Sequence, residues 1–232
     1  MKKRNVGIGL IGLGVIGGQV AKVLIERAEM LSQQSGATIE LKKIKVIPKD
    51  LEKPLAKSLN SELLTTDDDV FFNDPAIDIV IELIGGEKPA HDYIKRALNS
   101  GKHVVTANKE VIAKHGPDLM NFASTKGLSL YFEASVGGGI PIISPLQRDL
   151  KANSINKIHA IINGTTNFVL TRMGSCGIDF NEALKQAQIL GYAEANPKND
   201  IEGIDAAYKL SIMSTLAFEY RVRPEDVFHE GI

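Results

Sequence analysis

The stretch Gly191–Lys209 packs Glu194, Asp200, Glu202, Asp205 and Lys209, charged residues able to act on a small polar molecule, into 19 residues. Asp205 and Lys209 are four apart at the start of an apolar periodic run, so a helix stacks them on one face. A carboxylate beside an amine can bind a polar substrate and shuttle a proton. A second basic candidate, Lys109, ends Thr106-Ala-Asn-Lys109 just after a short β-like segment. That placement is one where ligands are contacted, although the spacing alone fits an exposed, inert lysine opening a helix better. Glu133-Ala-Ser-Val136-Gly-Gly138-Gly-Ile140 offers one carboxylate and several unencumbered carbonyls, which suits either a hard cation or a hinge. Cys176 has no histidine near it in sequence, and the five histidines lack metal-ligand spacing.

These groups need a scaffold, and the hydrophobic pattern describes one. Apolar runs at 6–11, 39–47, 77–84, 103–106 and 128–132 alternate with helical periodicities, which predicts a doubly wound parallel sheet. Within it, Pro89 opens a helix that Gly101 ends, and Gly116-Pro117 punctuates before a short helix to Lys126. The pattern changes after residue 133. A helix to Leu150, a strand over Ile155–Ile162, a helix opened by Asn163-Gly-Thr-Thr-Asn167 and one capped by Asp179 follow. Two domains are predicted, residues 1–135 and 136–232.

The first apolar run ends in Gly12-Leu13-Gly14-Val15-Ile16-Gly17, which fits G-x-G-x-x-G at a strand–helix junction. Gly12 permits the turn, Gly14 admits a pyrophosphate and Gly17 lets helix and strand approach, while the helix N-terminus offers free N–H groups. The domain is read as Rossmann-like and dinucleotide-binding. At the end of the second strand, Lys49 could meet a 2′-phosphate and Asp50 could accept from a free 2′-hydroxyl, so both NADP and NAD are open, with NADP favoured.

With 232 residues, 44% hydrophobic and 24% charged, the chain can bury a core. A net charge of −1 without a basic block argues against nucleic acid or an anionic membrane as partner. The apolar runs are too short to span a bilayer, and the basic start Met1-Lys-Lys-Arg runs into a glycine-rich strand rather than a cleavable leader. A single cysteine fits a reducing cytoplasm.

Taken together and in order, Gly12–Gly17, Thr106–Lys109, Glu133–Pro141, Asn163–Asn167 and Gly191–Lys209 resemble homoserine dehydrogenase over essentially the whole chain. The resemblance implies NAD(P)-dependent interconversion of L-homoserine and L-aspartate 4-semialdehyde, in threonine and methionine synthesis. It implies Lys209 as the proton-transferring group, with Lys109 in the active cleft touching cofactor and substrate. Glu194 and Asp205 would bind the amino-acid substrate, with Asp200 beside them. Leu13, Val15, Ile16 and Gly86 would touch the dinucleotide, and Glu133, Val136, Gly138 and Ile140 would form a sodium site. Lys49 falls where many members carry an arginine, keeping charge but losing the fork. Lys209 takes a proton only in its neutral form, which desolvation or a nearby positive charge favours.

The resemblance also implies an α+β substrate and dimerisation domain, hence a homodimer. Members of the family continue beyond the position of Ile232, so the second domain is expected to be incomplete and to lack an ACT segment. The rival expectations are a catalytically impaired nucleotide-binding remnant and a semialdehyde dehydrogenase using Cys176.

Overall fold

The computed structural model describes residues 4–232; the basic start, Met1–Lys3, lies outside the described residues. The chain divides into two compact units, Met1–Ser135 and Val136–Ile232.

The first unit runs β1 (Arg4–Ile11), α1 (Val15–Glu26), α2 (Ala28–Ser35), β2 (Ala37–Lys45), α3 (Pro54–Ser58), β3 (Leu64–Thr65), α4 (Asp68–Phe72), β4 (Ile79–Glu82), α5 (Ala90–Asn99), β5 (His103–Thr106), α6 (Lys109–Thr125) and β6 (Leu130–Tyr131). Its six strands lie in the order β3-β2-β1-β4-β5-β6, and every neighbouring pair is parallel. The order reverses between β1 and β4, and a crevice outside the carboxyl ends of two such strands is where open α/β sheets bind ligands. Leu10, Ile44, Val80 and Val104 are fully buried along the strands. Each such side chain contributes roughly 1.5–3 kcal/mol by leaving water.

The helix expected to begin after Gly116-Pro117 instead begins at Lys109 and continues through Pro117. Proline removes one N–H from the ladder. Against that loss, Asn108 caps the helix at its true start and Val111, Ile112, Leu119 and Ala123 form a buried stripe. The stripe spans both sides of Pro117, so breaking the helix there would expose half of it.

The second unit holds a short π-type turn (Pro145–Asp149), α7 (Gly164–Cys176), α8 (Phe180–Ile189), α9 (Lys198–Ile201) and α10 (Ile204–Ala217). The helix expected to reach Leu150 is reduced to that turn. Residues 155–162, expected as a strand, form no ladder among the described residues. A strand exists only through a neighbour's hydrogen bonds, and here no neighbour supplies them. Asp179 caps α8 by accepting from Glu182 N at 2.9 Å, as its spacing from Glu182 predicts. A small core of Val169, Ala183, Ala187 and Ala193 joins α7 to α8, and Phe168 stacks on Tyr192 at 4.7 Å.

Candidate functional site

In the first unit the glycine turn joins β1 to α1. Gly12 sits at φ +98°, a conformation that side-chain-bearing residues rarely adopt. A Cβ on Gly17 would lie 2.1 Å from Gly12 O, so Gly17 is required by helix–strand packing. A Cβ on Gly14 would meet nothing within 4 Å. The protein therefore leaves room in front of Gly14 that its own packing does not need. The N-terminus of α1 has no side-chain cap and no acidic residue in its first turn. Its free N–H groups and positive dipole end suit a phosphate. Val15 and Ile16 are 89% and 61% exposed there, while Leu13 is buried.

A cleft of about 210 Å³ opens at the carboxyl ends of β1, β2 and β4, lined by Gly12, Ile47, Asp50, Ile84, Gly85 and Tyr93 among others. Asp50 is buried and pairs with Lys53 Nζ at 2.7 Å. Lys53 Nζ also donates to Leu13 O at 3.2 Å, inside the glycine turn. Lys49 is exposed and does not line this cleft. No local motif marks Lys53, because the contact that ties it to the glycine turn, Leu13 O, is 40 residues away.

Beside the cleft, the turns after β4 and β5 are stitched together. Thr106 Oγ1 donates to Glu82 Oε2 at 2.5 Å and accepts from Asn108 N at 2.9 Å. Asn108 Nδ2 donates to Ile84 O at 3.0 Å and Gly86 O at 2.7 Å, while Oδ1 accepts from Val111 N as the α6 cap. Gly86 has φ +79°. Lys109 is the first residue of α6 and half-buried. Glu133 lies in a 3₁₀ turn, Glu133–Ser135, whose Ser135 Oγ donates to Phe132 O at 2.6 Å.

In the second unit, helix α10 stacks Asp205 and Lys209 as their spacing predicts, with Lys209 Nζ 2.7 Å from Asp205 Oδ2. Lys209 Nζ also donates to Ile162 O at 2.8 Å. An ammonium has three donors, so one N–H is left for another oxygen. The pair is largely sheltered, the two side chains being 18% and 5% exposed. Asn163 organises the rest. Its Oδ1 accepts from Thr166 N at 2.8 Å to cap α7. Its amide donates to Asp205 Oδ2 at 2.8 Å and to Asp200 Oδ1 at 2.7 Å, bridging two carboxylates that would otherwise repel. Thr165 Oγ1 lies 2.9 Å from Asp200 Oδ2 and 2.6 Å from Tyr192 O.

Lys209, Asp205 and Asp200 are thus brought into one hydrogen-bonded chain. Glu194 is not part of it. Glu194 is exposed and is tied in through its main chain, its carbonyl accepting from Gln188 Nε2 at 3.3 Å. Asn163 and Thr165 were visible in sequence only as a polar turn. Nothing in their local spacing announces carboxylate partners 35 to 42 residues away.

Val136 is buried, whereas Gly138 and Ile140 are exposed in a turn closed by Ile140 N donating to Gly137 O at 3.1 Å. Among the described residues no three His, Cys, Asp or Glu side chains gather as a metal centre. Cys176 is exposed at the end of α7 with Ser175 Oγ 3.6 Å from its sulfur. No helix of the described chain is long and apolar enough to cross a membrane.

Comparison with known proteins places this geometry. Residues 12–133 match the family model described as homoserine dehydrogenase, NAD binding domain, and residues 141–232 match the one described as homoserine dehydrogenase. A homoserine dehydrogenase of Bacillus subtilis is 45% identical over 99% of this chain and 52% of its own length. The crystal structure of a homoserine dehydrogenase from Thiobacillus denitrificans superposes with a TM-score of 0.90 at 45% identity, covering 99% of this chain and 53% of that one. A hyperthermophilic archaeal homoserine dehydrogenase in complex with NADPH superposes with a TM-score of 0.81 at 28% identity, covering 94% of this chain and 71% of that one. The chain spans about half the length of the curated relatives it matches. With the family's NAD binding domain matched in its first unit and the homoserine dehydrogenase model matched in its second, the chain belongs to the homoserine dehydrogenase family.

Proposed function

We propose that this chain carries the NAD(P)-dependent interconversion of L-homoserine and L-aspartate 4-semialdehyde, a step in threonine and methionine synthesis. The observation that carries the proposal is the Lys209–Asp205–Asn163–Asp200 chain, which holds a sheltered amine with one donor to spare. The glycine turn fits the second participant, because the space before Gly14 and the uncapped α1 N-terminus suit a dinucleotide pyrophosphate.

The turn Gly12–Gly17 and the N-terminus of α1 would hold the dinucleotide, whose oxidised nicotinamide would supply the acceptor for a hydride from the carbon bearing the homoserine hydroxyl. In its neutral form Lys209 keeps its two N–H groups on Asp205 Oδ2 and Ile162 O and takes the hydroxyl proton on its lone pair, so the alcohol loses one hydride and one proton and becomes the aldehyde. In reverse, Lys209 returns the proton to the carbonyl oxygen. Asp205 and Ile162 O aim the amine, which restricts its direction before substrate arrives. Glu194 and Asp200 bind the substrate ammonium, with Asp205 dividing its carboxylate between that cation and Lys209. Lys109 contacts cofactor and substrate.

At the adenosine end, the cleft beside Asp50 receives the ribose, with Lys53 and Lys49 as the cations available to a 2′-phosphate. NADP is accordingly favoured over NAD. Glu133, Val136, Gly138 and Ile140 are the residues proposed for a sodium ion, and a homodimer the assembly. One assay tests the whole reading: reduction of NADP or NAD by the purified chain on adding L-homoserine, with and without sodium. Homoserine-dependent reduction, faster with NADP, is expected. Dinucleotide binding without homoserine-dependent reduction would leave only a nucleotide-binding module.

A further inference from the structure

Glu82 has no part in that chemistry, yet it is 0% exposed at the end of β4. It faces Ile11 of β1 on one side and Thr106 of β5 on the other. Its oxygens accept from neutral donors, Oε1 from Ile84 N at 2.7 Å and Oε2 from Thr106 Oγ1 at 2.5 Å. Among the described residues no ammonium or guanidinium pairs with it. Burial raises the proton affinity of this carboxyl group, and the bonds from Thr106, Ile84 and Asn108 oppose that rise. An apolar side chain would fill the same space without a desolvation cost, so the bonds it makes are the reason to ask what they hold.

They hold the turn that lines the cleft. Ile84 N is fixed by Glu82, while Ile84 O and Gly86 O are fixed by the Asn108 amide. A trans peptide sets its N–H opposite its C=O. With Ile84 O turned toward Asn108, the N–H of Gly85 points the other way, and Gly85 lines the cleft. We propose that Glu82 is a positioning residue for the dinucleotide, acting through Ile84 to present the Gly85 N–H to an acceptor atom of the bound nucleotide. This inference rests on reading the first unit as the dinucleotide site.

The brace works in either protonation state of Glu82. The Thr106 hydroxyl can donate to a carboxylate or turn and accept from a carboxylic acid, while Oε1 keeps the Ile84 N–H. Glu82→Gln reproduces the second arrangement and preserves the brace. Glu82→Met removes both acceptors at similar volume, and Thr106→Val removes the hydroxyl that holds the carboxyl group.

The test is fluorescence titration of the 232-residue chain with NADPH, which reads the affinity of the folded fraction, alongside thermal melting. Glu82→Gln and Thr106→Ser should bind as the unaltered chain does. Glu82→Met and Thr106→Val should bind about tenfold more weakly, the scale of one buried hydrogen bond. If Glu82→Met fails to fold, Thr106→Val carries the test. Unchanged affinity in Thr106→Val would overturn the proposal, as would an equal loss in Glu82→Gln and Glu82→Met. Loss of NADPH binding by the unaltered chain would sink the dinucleotide reading too, whereas binding unaffected by the brace variants sinks this inference alone.

Discussion

Asn108 in the first unit and Asn163 in the second are built into the protein in the same way. Each caps a helix through Oδ1, Asn108 taking Val111 N and Asn163 taking Thr166 N. Each then gives both amide hydrogens to acceptors outside its own helix. Asn108 grips two main-chain carbonyls, Ile84 O and Gly86 O. Asn163 grips two carboxylates, Asp200 and Asp205, the second of which carries Lys209. One asparagine therefore fixes the shape of a neutral turn, and the other fixes the charge arrangement around an amine. The lesson is that a helix cap can index a distant site, because the cap pins the asparagine and leaves its amide a fixed direction.

The largest effects should come from the glycine turn that the Asn108 side serves. Gly17→Ala would drive a methyl group to 2.1 Å from Gly12 O. Overpacking of backbone against backbone should cost about 3 kcal/mol or more, read as a fall in melting temperature. Gly14→Ala meets no protein atom, so its melting temperature should stay put while NADPH affinity falls. A variant pair that behaves identically in both measurements would break the distinction between packing and ligand space.

Replacing each asparagine by aspartate keeps the cap oxygen and removes the two donors, so it isolates the amide. Asn163→Asp sets a third carboxylate against Asp200 and Asp205. Homoserine turnover should fall roughly 100-fold with little change in NADPH affinity, consistent with the scale of a misplaced proton-transfer group. Asn108→Asp should do the reverse, weakening NADPH binding about tenfold by leaving two carbonyls unpaired. If both variants damaged the same parameter, the two asparagines would not serve separate halves of the reaction.

The smallest effect concerns Glu87, next to the turn that Asn108 holds. Hydrogen bonds from Lys114 and then His115 lower its carboxyl from an ordinary 4.5 to about 2. A group whose folded value is depressed stabilises fully above 4.5, and that contribution fades as pH falls from 4.5 toward 2. The melting difference between the unaltered chain and Glu87→Gln should therefore be constant above pH 4.5 and shrink below it. A difference that grew on acidification would contradict the assignment.

The parallel sheet and the glycine turn were legible in sequence because both are local: short apolar runs, turn glycines and helical periodicity lie within a dozen residues of one another. The Asp205–Lys209 pair was legible for the same reason, since one helix sets its spacing. The roles of Lys53 and Asn163 are not legible because the partners that define them, Leu13 O for one and Asp200 and Asp205 for the other, are remote in sequence. The Pro117 boundary was misplaced because the Asn108 cap and the buried stripe of α6 outweigh one lost backbone bond. The strand over residues 155–162 was misread for a related reason. Its β-branched pattern is local, but the ladder that would make it a strand is not.

Proton transfer by Lys209 in a homoserine reaction is the role proposed for the second unit. Its most direct test compares the unaltered chain with Lys209→Ala, measuring homoserine-dependent NADPH formation in the same samples whose NADPH affinity is titrated. Turnover should be lower by roughly 10³ in the variant, the range of general acid–base catalysis, at unchanged NADPH affinity. Equal turnover in the two proteins, or none in either while NADPH binds both, would contradict it.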